Sequence, residues 1–443
     1  MPNLSVSSRF LISVQANIIR SALVFVTVLM IARSLGPSEY GDYAFLLGSF
    51  TALSSLVDFG ASRAFFTLMS QKFRGRSFIL SYVAWQIVQF VLIVSVVGIL
   101  LPEEWIDYVW LGKERNLVLL SFCAVFMHMS VWQTMTNIAE SFRLTHKIQY
   151  LNIGIATANF CLIGVFWVFD SLTLKVVFSL VLFEYAIALV VAFQVLSLRS
   201  IADEPLNLKA TFDEYKIFCI PLIFQGWLSF GYQFSDRWLL QYYGGSQEQG
   251  FYSIGYRFSV ISLLATMSIL KIFWKEIAEA QQNSDFERVR KLYKKISRLL
   301  FMVGVVVSGF LIPWSADLVG LTLGPAFLAG SLPLAIMLLY PLHQSLAQIN
   351  AAMLLASSRT KLHLIISGIF MGVSIPVTYM VLAPEMAAIP GFGMGAVGMA
   401  IKMVVLQFIM VTVGSWWLAK INKWPYDWKY QLISAGPIFL VGW

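Results

Sequence analysis

Apolar runs of about twenty residues or more recur along the whole chain, the length a helix needs to cross the hydrocarbon core of a bilayer. They lie near residues 10–32, 43–69, 78–101, 117–140, 148–169, 173–198, 215–241, 251–275, 297–320, 326–356, 362–383 and 393–419. In hydrocarbon every backbone amide must find a partner inside the protein, which leaves helices or a closed barrel. Barrel strands show segments of about ten residues with alternating polarity, and these runs are too long for that. Composition agrees, since only 12% of the residues are charged, about half the share of a soluble domain. The expected fold is an all-α polytopic membrane protein with about twelve transmembrane helices.

The loops between the runs carry the charge. One set holds Arg9, Lys72, Arg74, Arg76, Arg143, Lys147, Arg199, Lys209, Lys216, Lys271, Lys275, the cations from Arg288 to Arg298, Arg359, Lys361, Lys420, Lys423 and Lys429, which is 22 of the 31 cations. The opposite set holds only Arg33, Lys113, Arg115 and Lys175. Because cytoplasmic loops collect Lys and Arg, the N-terminus is expected in the cytoplasm, with the chain multi-pass. The net charge of +8 then reflects topology, and no nucleic-acid partner is expected. The N-terminal run contains Arg20 and does not read as a signal peptide. Cys123, Cys161 and Cys219 sit inside apolar runs without metal-ligand spacing and read as small hydrophobic residues.

Two polar or short segments complete the walk. Residues 281–298 place Phe286, Val289, Leu292, Tyr293 and Ile296 at helical spacing among cations, so a basic amphipathic surface helix is expected before the ninth span, with membrane anchoring as its role and a lipid headgroup contact as a secondary one. Residues 431–443 begin a further apolar run too short to cross upright. It is expected to be an interfacial piece or the start of another helix in a longer protein.

The chain also repeats itself. Gly36, Glu39, Gly41 and Tyr43 match Gly245, Glu248, Gly250 and Tyr252 at an offset of 209, and His128, Ser130 and Gln133 match His343, Ser345 and Gln348 at 215. Leu111-Gly112 and Leu323-Gly324 agree in placement, as do Arg143 and Arg359. Six helices per repeat is an even number, so the two six-helix lobes are parallel, related by an axis along the membrane normal. The division read from this is an N-terminal lobe over 1–200, a linker over 201–214, a C-terminal lobe over 215–420, and a basic loop with the apolar segment over 421–443.

Ionisable residues inside spans are costly and are functional candidates by default. Arg20 lies mid-span on a stripe with Ser13, Asn17 and Thr27. Asp58 and Arg63 lie in the second span, Arg257 in the eighth and Lys402 in the twelfth. A cavity lined by Arg20, Asn17, Arg63, Arg257 and Lys402 would be net positive and suited to a phosphate or diphosphate, which guanidinium forks grip well. Trp85, Trp132, Trp227 and Tyr232 could offer faces to a sugar. The acids Asp58, Glu184 and Glu140 are candidates for ion coupling, with helix-pair contacts as the competing reading. His128 and His343 read as packing residues more than as cation ligands. A polar stripe of Gln225, Ser229, Tyr232 and Asp236 marks the seventh span. There is no Walker A motif, no HExxH and no CxxC, and the outer loops are short. An enzyme, a resident metal and a cofactor are therefore not expected.

The segments Arg33-Ser-Leu-Gly36-Pro-Ser-Glu-Tyr-Gly41-Asp-Tyr43, Leu56-Val-Asp58-Phe-Gly60, Leu323-Gly324-Pro-Ala-Phe and Gly393-Met-Gly395-Ala-Val-Gly398 resemble those of Wzx-type polysaccharide flippases. These exporters of O-antigen and other repeat units share the MOP superfamily with the lipid II flippase and the MATE multidrug exporters. The resemblance spans nearly the whole chain. It implies two lobes in a V that rock between inward-open and outward-open states. The implied cargo is an undecaprenyl-diphosphate-linked oligosaccharide, delivered to the periplasmic leaflet of the bacterial inner membrane. It also implies a drive from an H⁺ or Na⁺ gradient or the membrane potential, and membrane lipids, a polymerase and a chain-length regulator as partners. Two other readings stay open from the residues: a MATE-like cation-coupled drug exporter, which would lean on Asp58, and a membrane oligosaccharide polymerase or ligase, which would need a larger external loop.

Overall fold

The computed structural model describes residues 6–72, 74–196, 207–261, 263, 273, 276–277, 279–280, 283, 285–357, 359–425, 427–431 and 436. Most of the 201–214 linker's first half, the eighth span beyond Ile261 with Lys271 and Lys275, and nearly all of the 431–443 run lie outside the described residues. Among the described residues nine helices are long and apolar enough to cross a membrane, or ten when the bent pair Pro325–Met337 and Tyr340–Leu354 counts as one span. Two of these are double length. Helix α1 (Val6–Asp58) has 53 residues and α9 (Leu208–Ile261) has 54, where one crossing takes about twenty. Each is interrupted by a single glycine, Gly36 or Gly245, and so carries two consecutive spans. Dividing both brings ten to the expected twelve.

The remaining elements follow the runs read from sequence. Helix α2 (Ala61–Gln71) finishes the second span, and α3 (Arg76–Ser95) with a π-turn at Val96–Leu100 forms the third. A short α4 (Glu103–Trp110) leads to α5 (Arg115–Phe126), a π-turn at Met127–Trp132 and α6 (Gln133–Ser141), which together make the fourth. Then come α7 (Thr145–Val168) and α8 (Leu174–Val195). After α9 follow α10 (Phe286–Leu311), α11 (Ser315–Leu323), α12 (Ser331–Met337), α13 (Tyr340–Ala356), α14 (Thr360–Leu382) and α15 (Gly395–Ile421). The basic stretch expected as a separate surface helix is instead the start of α10. Asp285 caps it by accepting the Arg288 amide at 3.0 Å, and the helix then runs unbroken into the ninth span. Val289 is fully buried there, and Leu292, Tyr293 and Ile296 pack beside it.

Contacts divide the chain into two compact units: Met1–Leu35 with Asp42–Trp238, and Gly36–Gly41 with Leu239–Trp443. The first part of α9 thus groups with the first unit, and its packing shows why. Tyr215 and Cys219 rest on a cluster of Phe65, Phe78 and Tyr82, in which the Phe65 and Tyr82 rings stack 4.2 Å apart. Glu214 pairs with Arg74 and, at 3.2 Å, with Lys72. On the opposite side of the spans Arg115 collects the carbonyls of Val97, Gly98 and Leu101 at 2.7–3.3 Å. These are orphan acceptors where the third span ends, which a cation suits. Lys113 bonds Asp42 at 2.6 Å. Lys175 bonds Glu114 at 2.8 Å, and that hydrogen bond and charge hold the exposed Glu114 carboxyl below its ordinary range.

The repeat is visible in backbone geometry within the second unit. Gly36 has φ 70° and ψ 173°, and Gly245 has φ 77° and ψ 178°, a region essentially closed to other residues. The two turns also touch reciprocally. A Cβ on Gly41 would sit 1.7 Å from the Ser246 carbonyl oxygen, and one on Gly250 would sit 2.1 Å from that of Pro37. Shifted by 209, each contact becomes the other. The histidine pair repeats too. His128 stacks on Tyr185 of α8 at 4.6 Å, and His343 meets Phe408 of α15 at 4.9 Å, so each packs on an aromatic ring two spans further along its own repeat. The repeat breaks down at Glu248, which accepts the Ala396 amide at 2.6 Å and so caps α15. In the first half Thr173 caps α8 with its own hydroxyl.

Candidate functional site

The second span is broken where Asp58, Phe59 and Gly60 meet. Phe59 and Gly60 both have positive φ, 52° and 79°, which ends α1 and restarts the chain as α2. The break frees backbone groups that must be satisfied in an apolar setting. Asp58 accepts the Ser62 amide at 3.1 Å and its hydroxyl at 2.8 Å. Gln89, from the third span, donates to the Val57 carbonyl at 2.7 Å. One turn earlier, Gln86 donates to the Ser130 carbonyl at 3.1 Å and to the Thr134 hydroxyl at 2.8 Å. The Ser130 carbonyl lies in the π-turn of the fourth span, where the widened ladder leaves acceptors within reach; such turns recur at functional sites.

These elements enclose a cavity of about 240 Å³, lined by Asp58, Arg63, Gln86, Gln89, Gln133 and Asn137 together with serines, Thr134, Tyr82 and a few apolar side chains. It brings together two of the residues expected from sequence, Asp58 and Arg63. They form no ion pair; Asp58 is held by Ser62 instead. Arg63 is exposed and makes no hydrogen bond or ion pair among the described residues. The amides of the third and fourth spans are not among the residues expected from sequence, whose polar stripes lie on the first and seventh spans. Their signal was present, since Gln86 and Gln89, and Ser130, Gln133, Thr134 and Asn137, recur at three- and four-residue steps.

The other expected residues are placed apart from this cavity. Arg20 is exposed and donates to Asn17 at 3.2 Å. Its charge acts on the Tyr185 hydroxyl of α8. The neighbouring Glu184 is buried, accepts from Asn159 at 2.7 Å, and has its second oxygen unpartnered among the described residues. Glu140 is half-buried near the end of α6. In the second unit Arg257 is half-buried with no partner among the described residues, whereas Lys402, expected to line a cavity, is interior at 2% exposure. Trp132, expected to offer a face to a sugar, is 5% exposed and spends its indole N–H on Asn152 at 2.9 Å.

A profile of the family described as polysaccharide biosynthesis protein matches residues 8–273, well over half of the chain. The chain belongs to that family. Membership bears out the resemblance read from the Gly36–Tyr43 and Leu56–Gly60 segments. No match is found among curated proteins. Solved structures share the fold end to end. The lipid II flippase MurJ in an inward closed conformation aligns with a TM-score of 0.68 at 13% identity, over 98% of this chain and 97% of its own. An inward-facing multidrug resistance MATE family transporter of the MOP superfamily aligns at 0.58 and 12%, over 96% and 97%. A Vibrio cholerae MATE transporter aligns at 0.54 and 14%, over 97% and 96%. The chain thus shares the fold of these solved structures, with a broken second span and a polar cavity inside its first unit.

Proposed function

We propose that the chain carries an undecaprenyl-diphosphate-linked oligosaccharide from the cytoplasmic to the periplasmic leaflet of the bacterial inner membrane by alternating access. The observation that carries this reading is Arg63, a guanidinium with no hydrogen bond or ion pair among the described residues, in a cavity whose other polar lining is the Asp58 carboxylate, amides and hydroxyls, in a chain of a polysaccharide biosynthesis family. A guanidinium fork suits phosphate oxygens, and amides suit sugar hydroxyls. At about 240 Å³ the cavity falls below the roughly 300 Å³ of a small-ligand pocket, so it receives one part of the cargo, a phosphate or a sugar ring. Arg20 with Asn17, and Arg257, serve the same anion at other stages of transport. Asp58, Glu184 and Glu140 are the groups for an H⁺ or Na⁺ couple, with the membrane potential as a further drive. The chain makes and breaks no bonds and needs no cofactor, and it works alongside a polymerase and a chain-length regulator.

The test is surface polysaccharide display in a strain lacking its own flippase. Losing a charge-assisted contact costs about 1.5–3 kcal/mol, so Arg20→Ala, Arg63→Ala and Arg257→Ala should each lower display about ten- to a hundredfold at unchanged protein level. Wild-type display in all three would sink the assignment. A change in drug susceptibility with no change in display would favour a MATE-like exporter.

A further inference from the structure

The second unit holds a cavity of about 260 Å³ that the transport reading does not use. Its cationic wall is one stripe of α10, with Arg290, Lys294 and Arg298 four residues apart, and its opposite wall is formed by Trp424, Asp427 and Tyr430. The cations are not equivalent. Arg298 is committed, held by both oxygens of Asp427 at 2.6 and 3.0 Å, with its guanidinium 4.7 Å from the Tyr430 ring centre. Lys294 has no partner among the described residues. Arg290 has only a loose approach to Glu287 at 3.8 Å. Ser297 lines the same cavity with a buried hydroxyl that has no hydrogen-bond partner among the described residues. One ammonium, one guanidinium and one unspent hydroxyl thus face a common space, and Asp427 is already matched by Arg298.

The depth of the site selects the anion. Trp416, Trp417 and Trp428 are exposed around it, and Lys420 lies 5.0 Å from the Trp416 ring centre. Exposed tryptophans with flanking lysines mark the headgroup level of a bilayer. The cavity is closed on its inner side by the buried apolar side chains of Phe301 and Leu346.

We propose that this cavity binds the phosphate of an anionic phospholipid headgroup. Lys294 and Arg290 neutralise the phosphate, the Ser297 hydroxyl donates to it, and the Arg298–Asp427 pair keeps the wall rigid. On the loop-charge reading the site faces the cytoplasmic leaflet, where it fixes the start of the ninth span to the lipid.

The full chain, extracted in mild detergent from nanodiscs of phosphatidylcholine with or without phosphatidylglycerol, is examined by native mass spectrometry for retained lipid and by thermal unfolding. The wild type should retain phosphatidylglycerol in preference and melt at higher temperature with it. Each cation near an anionic surface is worth about a fivefold change in affinity, so Arg290→Gln with Lys294→Gln should lower retention about twenty-five-fold. Lys294→Arg alone, which keeps the charge, should retain it and shows that the fold survives substitution there. Equal retention by the wild type and the double variant overturns the proposal. Inorganic phosphate reproducing the full stabilisation in phosphatidylcholine also overturns it, since the site would then serve a free anion. Display of polysaccharide is not read in this experiment, so its outcome is separate from that of the transport reading.

Discussion

Gly41 and Gly250 are small because a backbone occupies the space a side chain would need. The Cβ positions fall 1.7 and 2.1 Å from carbonyl oxygens of the facing turn, closer than any van der Waals contact, and the obstacle is main chain that cannot rotate aside. Gly41→Ala and Gly250→Ala should therefore each push the two turns apart and lower the melting temperature of the purified protein. Gly36 and Gly245 have open space around them but lie in a region of φ and ψ that costs other residues about 1–3 kcal/mol. Gly36→Ala should cost about that amount with the turn contact kept. A Gly41→Ala protein as stable as the wild type would mean the reciprocal contact is not formed in the membrane. These glycines were legible in sequence as a repeat. Their reason was not, because an offset of 209 says that two turns are alike and nothing about whether they touch.

At the scale of the element, the broken second span separates two roles for one carboxylate. Asp58 both carries a charge inside an apolar run and accepts the amide and hydroxyl of Ser62. Asp58→Asn keeps an acceptor and removes the charge, whereas Asp58→Ala removes both. Loss of a capping acceptor costs about 1 kcal/mol, so Asp58→Ala should lower thermal stability by that order while Asp58→Asn leaves it nearly unchanged. Should Asp58 also couple an ion, Asp58→Asn will abolish display at wild-type stability; full display in Asp58→Asn would leave capping as its whole role. The span was read as one straight run over 43–69. The break was hidden because Leu-Val-Asp-Phe-Gly keeps the hydropathy of a span, and the left-handed Phe59 depends on bonds from the third span through Gln89. Helix length, order and the unbroken apolar character of the fifth, sixth and eleventh spans depend on local sequence alone, and those were read correctly.

The whole molecule is constrained most by the distribution of its cations. A ratio of 22 to 4 between alternate loops survives only if the number of crossings is right, because one missed helix would exchange the two sets from that point on. Three of the four cations on the poor side are engaged locally: Lys113 with Asp42, Arg115 with the end of the third span, and Lys175 with Glu114. Cations tied down in this way cost less to place on the translocated side than free ones. Glu104 is exposed at the start of α4, between the third and fourth spans, Glu385 is exposed in the connection between the eleventh and twelfth, and Lys291 is exposed on the basic part of α10. In a background with Cys123, Cys161 and Cys219 replaced, Glu104→Cys and Glu385→Cys should both react with a membrane-impermeant maleimide in intact cells, and Lys291→Cys only after permeabilisation. Reaction of Glu104→Cys but not Glu385→Cys would mean that the repeats are inverted rather than parallel. Reaction of Lys291→Cys alone would reverse the orientation and, with it, the direction in which a cytoplasmic cargo meets Arg20 and Arg63.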